Sequence, residues 1–199
     1  MHPIQFQAFE RICGERGAGG SVLEIGAVPS EDSLLCLGSL RNATRKVGVN
    51  LDGPSTYRDF AILKADANDL SCFRDGEFDT VLCNAVLEHD LFFWRSLDEM
   101  RRVTRAGGLI VIGVPGFGGP HPVRWSARIV RSPFVWALFP RRIESFLVST
   151  PVLRLHDRPS DYYRFSPRSV AELFMRGLID VRILIHMRPP RIIGSGIKP

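Results

Sequence analysis

The chain has 199 residues, of which 45% are hydrophobic and 24% charged, and its net charge is +5. That length suits one domain with a substantial core, and the balance of apolar and charged residues is ordinary for a folded protein rather than a disordered one. No apolar run approaches the roughly 20 residues needed to span a bilayer.

A first helix is expected from Ile4, Phe6, Phe9 and Ile12, ending in the glycine-rich stretch Gly14 to Gly20. Strand one is Val22 to Gly26. Ser30, Glu31 and Asp32 read as a helix start, with Leu34, Leu35, Leu37 and Leu40 as its apolar content. Strand two follows at Lys46 to Leu51, strand three at Ala61 to Ala65 and strand four at Phe78 to Ala85. Phe93, Leu97, Met100 and Val103 share one face of a helix from Leu91 to Thr104, which Ala106-Gly107-Gly108 should stop. Strand five, Leu109 to Val114, is apolar on both faces and belongs in the middle of a sheet. After an irregular stretch, Ser166-Pro167-Arg168 reads as a helix entry, and that helix runs through Met175 to Gly177. Strands at Asp180 to His186 and Arg191 to Ile197 close the chain.

Strands alternating with helices imply a parallel sheet with right-handed crossovers and helices on both faces. One domain over 1–199 is expected, with 116–160 as a lid-like insertion. The N-terminus, Met-His-Pro-Ile-Gln-Phe, lacks a basic start and an apolar signal core, so a cytoplasmic location is expected. Cys13, Cys36, Cys72 and Cys83 form no C-x-x-C pair, so they read as reduced thiols and no metal site is expected.

The positive charge is concentrated. Residues 120 to 168 hold nine arginines and three acids, a net +6, which leaves −1 for the rest. Within that stretch Trp125, Phe134, Trp136 and Phe139 interleave with Arg124, Arg128, Arg131, Arg141 and Arg142. Three readings stand: a cover that closes over substrate, a peripheral contact of 123–142 with an anionic membrane, or an extra helical pair on the sheet edge. Nucleic acid is not an expected partner, because the segment is rich in buried-type aliphatics and carries no recognised motif.

In an open parallel sheet, ligands bind beyond the carboxyl ends of the strands where the strand order reverses. The residues there are Gly26 and Ala27; Asn50, Leu51 and Asp52; Asp66 and Ala67; Asn84, Ala85 and Val86; and Pro115 and Gly116. In this order they suit a nucleoside: a glycine for close backbone approach, a polar residue for ribose hydroxyls, a carboxylate for an adenine amine.

Four segments carry a family resemblance. Ser21-Val22-Leu23-Glu24-Ile25-Gly26-Ala27-Val28-Pro29-Ser30 resembles motif I of the class I S-adenosylmethionine (SAM) dependent methyltransferases, with Val28 and Ser30 at the places of two further glycines. Glu77 to His89 is similar to the family's strand-four motif with its trailing Glu-His, and Leu97 to Gly108 to the helix and turn before strand five. Asp161-Tyr162-Tyr163-Arg164-Phe165-Ser166-Pro167 resembles a segment common after the fifth strand in small-molecule members, those of the type 11 kind.

The resemblance implies a Rossmann-like α/β fold with a seven-stranded, mostly parallel sheet and an antiparallel last strand. It implies SAM as cofactor and methyl transfer to a small-molecule acceptor, with a non-catalytic binding or scaffold protein of the same fold as the alternative. A nicotinamide oxidoreductase is disfavoured, since no G-x-G-x-x-G follows strand one. By the same resemblance Glu24, Gly26 and Ala27 lie near the methionine part of SAM. Asn50 and Leu51 lie near the ribose, with Asp52 as the nearest carboxylate. Asp66 meets the adenine amine, Ala67 the ring nitrogens, and Asn84 and Ala85 the sulfonium end.

His89 is the candidate general base, or else a helix N-terminal residue making a backbone contact. His121, His156, Tyr162 and Tyr163 are the candidate substrate residues. The oligomeric state is left open.

Overall fold

The computed structural model describes residues 3–117, 161–187 and 190–199. The lid-like insertion therefore lies outside the described residues apart from Gly116 and Phe117. His121, His156 and the 123–142 membrane contact fall wholly outside them. Among the described residues, no helix is long and apolar enough to cross a membrane and no side-chain cluster could hold a metal.

Helix α1 (Pro3–Glu15) precedes β1 (Ser21–Ile25), β2 (Arg45–Asn50), β3 (Ser55–Tyr57), β4 (Phe60–Lys64) and β5 (Phe78–Asn84). Helix α2 (Phe93–Val103) then leads into β6 (Thr104–Pro115). A short α3 (Pro167–Ser169) runs into a π-helical turn (Val170–Phe174), followed by β7 (Ile179–Met187) and β8 (Pro190–Ile197). The eight strands lie in the order β3-β4-β2-β1-β5-β6-β8-β7. The four inner pairings from β4 to β6 are parallel, and β8 is antiparallel to both its neighbours.

Period-two alternation splits the core into two layers. Leu23, Ile25, Val81, Cys83, Ile110 and Ile112 face α2 and the π turn, where they pack on Leu97, Met100, Val103 and Phe174. Val22, Leu82, Leu109 and Val111 face the other way, onto Phe9 and Ile12 of α1 and the four leucines 34, 35, 37 and 40.

Three expectations are corrected. Seven strands become eight, because Ser55–Tyr57 turns back through Arg58 (φ +49°) and pairs antiparallel with β4. The expected helix after β1 is instead two three-residue 3-10 turns, Leu34–Cys36 and Gly38–Leu40, separated by Leu37 in an extended conformation. Buried Glu24 accepts from the amides of Leu34 (2.9 Å) and Leu35 (3.3 Å) and from the Ser33 hydroxyl, and this grip fixes the first turn against the sheet. Finally, Ala106-Gly107-Gly108 lies inside β6, not at a helix end. The helix has already stopped at Val103, and Gly107 (φ +74°) sits where the β5–β6 register shifts.

Chain exit and return around the insertion are close together. The Phe165 amide donates to the Pro115 carbonyl at 3.1 Å, and the Gly116 amide donates to Pro190 at 3.0 Å.

Candidate active site

The chain runs outward from β1 through β2 to β4, then crosses back to β5 on the other side. The crevice at that reversal is where an open α/β sheet receives a ligand. A cavity of about 420 Å³ opens there, lined by the ends of β1 and β2 and by the loops that follow β1, β2, β4 and β5. Its lining includes Ile25, Gly26, Val49, Asn50, Leu51, Ala65, Asp66, Ala67, Asn68, Ala85, Val86, His89, Asp90, Leu91, Phe92 and Tyr162. The volume lies within the range of cofactor and small-ligand sites.

Backbone geometry keeps the hollow open. Gly26 has φ +79°, and its amide donates to the Val49 carbonyl at 2.8 Å. A Cβ there would stand 2.3 Å from Val86 Cγ2, so only glycine lets the end of β1 pass the loop after β5. Across the crevice Ala85 holds φ +55°, with its amide donating to Gly113 at 2.9 Å. A non-glycine residue in that region marks a turn held by its surroundings.

The polar groups divide into those committed to the scaffold and those facing the hollow. Asn50 Nδ2 donates to the Ala27 carbonyl at 2.8 Å, while its Oδ1 accepts from the Asp52 amide at 3.2 Å, so this side chain braces two loops. Asp66 Oδ1 accepts from the amide (2.9 Å) and side chain (3.1 Å) of Asn68, an Asx turn that leaves the exposed carboxylate at the rim. Asn68 Nδ2 donates also to Asp90 Oδ1 at 2.9 Å. Asp90 in turn accepts from the Phe92 amide (2.8 Å) and from Ser96 Oγ (2.5 Å) at the head of α2. His89 is half-buried on the lining, its amide donating to Val86 at 2.9 Å.

Of the residues singled out from sequence, Gly26, Asn50, Leu51, Asp66, Ala67, Ala85, Val86, His89 and Tyr162 line this cavity. Glu24, Ala27, Asn84 and Tyr163 are not among the lining residues. Glu24 points to the 3-10 turn, where burial pushes its carboxyl up to about 7 against the pull of its three donors. Ala27 is fully buried beside Gly48. Asn84 Oδ1 accepts from Gln5 of α1 at 3.2 Å. Tyr163 stacks edgewise on Phe93 at 5.1 Å and donates its hydroxyl to Leu91 at 3.0 Å. Asp52 also lies off the lining.

Lining residues that strand-end reasoning misses are Asn68, Asp90, Leu91 and Phe92. Their signal is local: Asp66-x-Asn68 and Asp90-x-Phe92 are both acids capping the amide two residues on.

Behind the cavity, the Glu88 carbonyl accepts from the amides of Tyr162 (2.8 Å) and Tyr163 (3.2 Å) and so seats Tyr162 on the rim. The Glu88 side chain is buried (1% exposed), and its Oε2 has no hydrogen-bond partner among the described residues. Burial pushes it up to about 7, opposed by the charges of Arg191 and Arg164.

A parallel sheet in this order, with an antiparallel β8 inserted beside β6 and a cavity at the ends of its inner strands, is a Rossmann-like α/β fold that solved SAM-dependent methyltransferases share. Residues 35–112 match the family described as Methyltransferase domain. An uncharacterized methyltransferase of Mycobacterium sp. (strain JLS) is 33% identical over 108 residues, which cover 51% of this chain and 41% of that protein. The chain thus spans less than half the length of the curated relatives it matches. A SAM-dependent methyltransferase of Archaeoglobus fulgidus shares the fold with a TM-score of 0.64 at 15% identity, over 100% of this chain and 95% of that one. The Burkholderia thailandensis 1,6-didemethyltoxoflavin-N1-methyltransferase, solved with 1,6-didemethyltoxoflavin and S-adenosylhomocysteine, does so with a TM-score of 0.61 at 14% identity, over 99% and 79%.

Proposed function

We propose that the protein transfers a methyl group from SAM to a small-molecule acceptor. One observation carries this reading: the cavity stands at the strand-order reversal, and Gly26 keeps its backbone edge free of a side chain where a Cβ would meet Val86. The residues present fit an adenosyl sulfonium in size and chemistry. When bound, SAM supplies a methyl group on an already activated sulfonium.

The chain's own residues then have four tasks. Asp66 accepts from the adenine amine, with Ala67 beside the ring. Leu51 covers the nucleoside face, and Asn50 offers the ribose whatever hydrogen-bonding capacity its two braces leave. Gly26 and Ala85 line the reacting end without adding charge. His89 takes a proton from a hydroxyl or ammonium acceptor, and Tyr162 borders the acceptor. Transfer needs an in-line approach more than acid–base help, so positioning is the main contribution of the site.

A second reading is a scaffold that kept the fold but not the reaction. The engagement of Asn50 by Ala27 and Asp52 favours it, because a free carboxylate would bind a ribose diol more strongly. Titration calorimetry with SAM and S-adenosylhomocysteine separates the two. Saturable binding supports the enzyme, and no heat at millimolar ligand supports the scaffold.

A further inference from the structure

The cavity changes character along its length. Its β4 side is polar, with Asn50, Asp66 and Asn68. Its α2 side carries Leu91, Phe92 and Tyr162, which stand 47%, 43% and 50% exposed. Apolar surface left open at the end of a concave site lowers the free energy of any apolar body that covers it.

These side chains are held in place. Asp90 grips the Phe92 amide, the Arg95 guanidinium lies 5.1 Å from the centre of the Phe92 ring, and Trp94 meets that ring edge-on at 5.7 Å. Tyr162 is fixed by its amide on Glu88. The charged side chains among the described lining residues are Asp66 and Asp90, both acids; no Lys or Arg is among them. Arg95 is off the lining but already meets the Phe92 ring. The two carboxylates on the lining repel an anion, and the aromatic edge left open, Tyr162 with it, attracts a cation.

We infer that Leu91, Phe92 and Tyr162 form the acceptor subsite, and that it selects a flat apolar molecule with a neutral or cationic head over one carrying a carboxylate or phosphate. The inference rests on the proposed reading of the polar end as the SAM seat.

Three naphthalene probes test it, alike in body and carrying an aminomethyl, a hydroxymethyl or a carboxylate group. Their fluorescence is titrated at neutral pH with the full chain, with and without saturating S-adenosylhomocysteine. The amine and the alcohol should bind in both conditions, and the carboxylate at least about tenfold more weakly. Phe92→Ala should weaken the amine about tenfold, Phe92→Tyr should restore it, and S-adenosylhomocysteine affinity should hold within about twofold in both variants.

The inference is overturned if no probe binds, if the carboxylate binds as well as the amine, if S-adenosylhomocysteine displaces the amine, or if Phe92→Ala and Tyr162→Ala both leave the amine unchanged. Calorimetry on the same samples keeps the two readings apart. Probe selectivity without S-adenosylhomocysteine heat supports the apolar subsite and removes only the cofactor assignment.

Discussion

Asn68 and Asp90 are joined across the cavity by a 2.9 Å hydrogen bond, the amide of one loop donating to the carboxylate of the other. The first loop follows β4 and carries Asp66; the second leads into α2 and carries His89, Leu91 and Phe92. This bond sets the distance between the two banks. Asn68→Ala leaves Asp90 its two other donors, so the fold should lose only about 1 kcal/mol. S-adenosylhomocysteine affinity should fall several-fold. Unchanged affinity in calorimetry would show that the bond does not shape the site.

Gly26→Ala should nearly abolish nucleoside binding. The new Cβ meets Val86 Cγ2, and φ +79° adds strain of about 1–3 kcal/mol for a side-chain-bearing residue. Val86→Ala in the same chain removes the clash but not the strain, so binding should recover in part. Full recovery would mean the backbone angle is tolerated, and no recovery would mean the collision is not with Val86. Calorimetry and thermal melting read both.

Asp66→Ala should cost on the order of 1–3 kcal/mol of S-adenosylhomocysteine binding and the same for adenosine alone, because both present the adenine amine. Asp66→Asn keeps the acceptor to Asn68 and should lose less. Equal affinities for all three proteins would remove Asp66 from the site.

Glu24 and Glu88 both hold their protons up to about pH 7 in the fold, above the ordinary carboxyl value of 4.5. Each therefore binds more protons folded than unfolded between those values. Their contribution is fully present below about pH 4.5 and is lost as pH rises to about 7, on the order of 3 kcal/mol for each. Urea melts across this range should show stability declining. Glu88→Gln, neutral at every pH, should flatten the decline, and an unaltered slope would place the titration elsewhere.

Arg102 ties α2 to the loop between β4 and β5. Its Nε and Nη2 reach the two oxygens of Glu99 at 2.7 Å each, Nη1 reaches Asp75 at 2.7 Å, and the carbonyls of Leu70 and Phe73 accept at 2.9 and 3.0 Å. Arg102→Met should destabilise by about 2 kcal/mol, since Glu99 keeps only the Leu70 amide, the Leu70 carbonyl keeps only the Phe73 amide, and the Phe73 carbonyl loses the guanidinium. Hydrogen exchange at the Leu70 amide, which donates to Glu99 at 2.7 Å, should accelerate. No change there would mean the loop holds itself.

The inner strands were legible because residues buried on both faces leave mostly apolar runs, interrupted only by buried Glu24 and Thr80 and by Gly113, and Val22–Ile25, Thr80–Cys83 and Leu109–Val114 all lie in parallel or central positions. The segment after β1 was not legible as turns, because its conformation depends on a carboxylate ten residues upstream taking the Leu34 amide. Strand β3 is three residues long with little apolar content, and only its pairing with β4 defines it.

In the site, topology alone brings Gly26, Asn50, Asp66, Ala85 and His89 together. Glu24 and Asn84 could have been set apart by parity. Glu24 alternates with Val22, and Asn84 with Leu82, on the side of the sheet that meets α1. Leu91 and Phe92 depend on a loop shape that no periodicity encodes.

A single helix grips both sides of the ligand crevice: Arg102 and Glu99 clasp the loop that follows β4, and Ser96 holds Asp90 at the opposite lip. The crevice is braced like a vice with one frame. The expected consequence is that a guest settles between walls whose spacing is already set, rather than prying them apart.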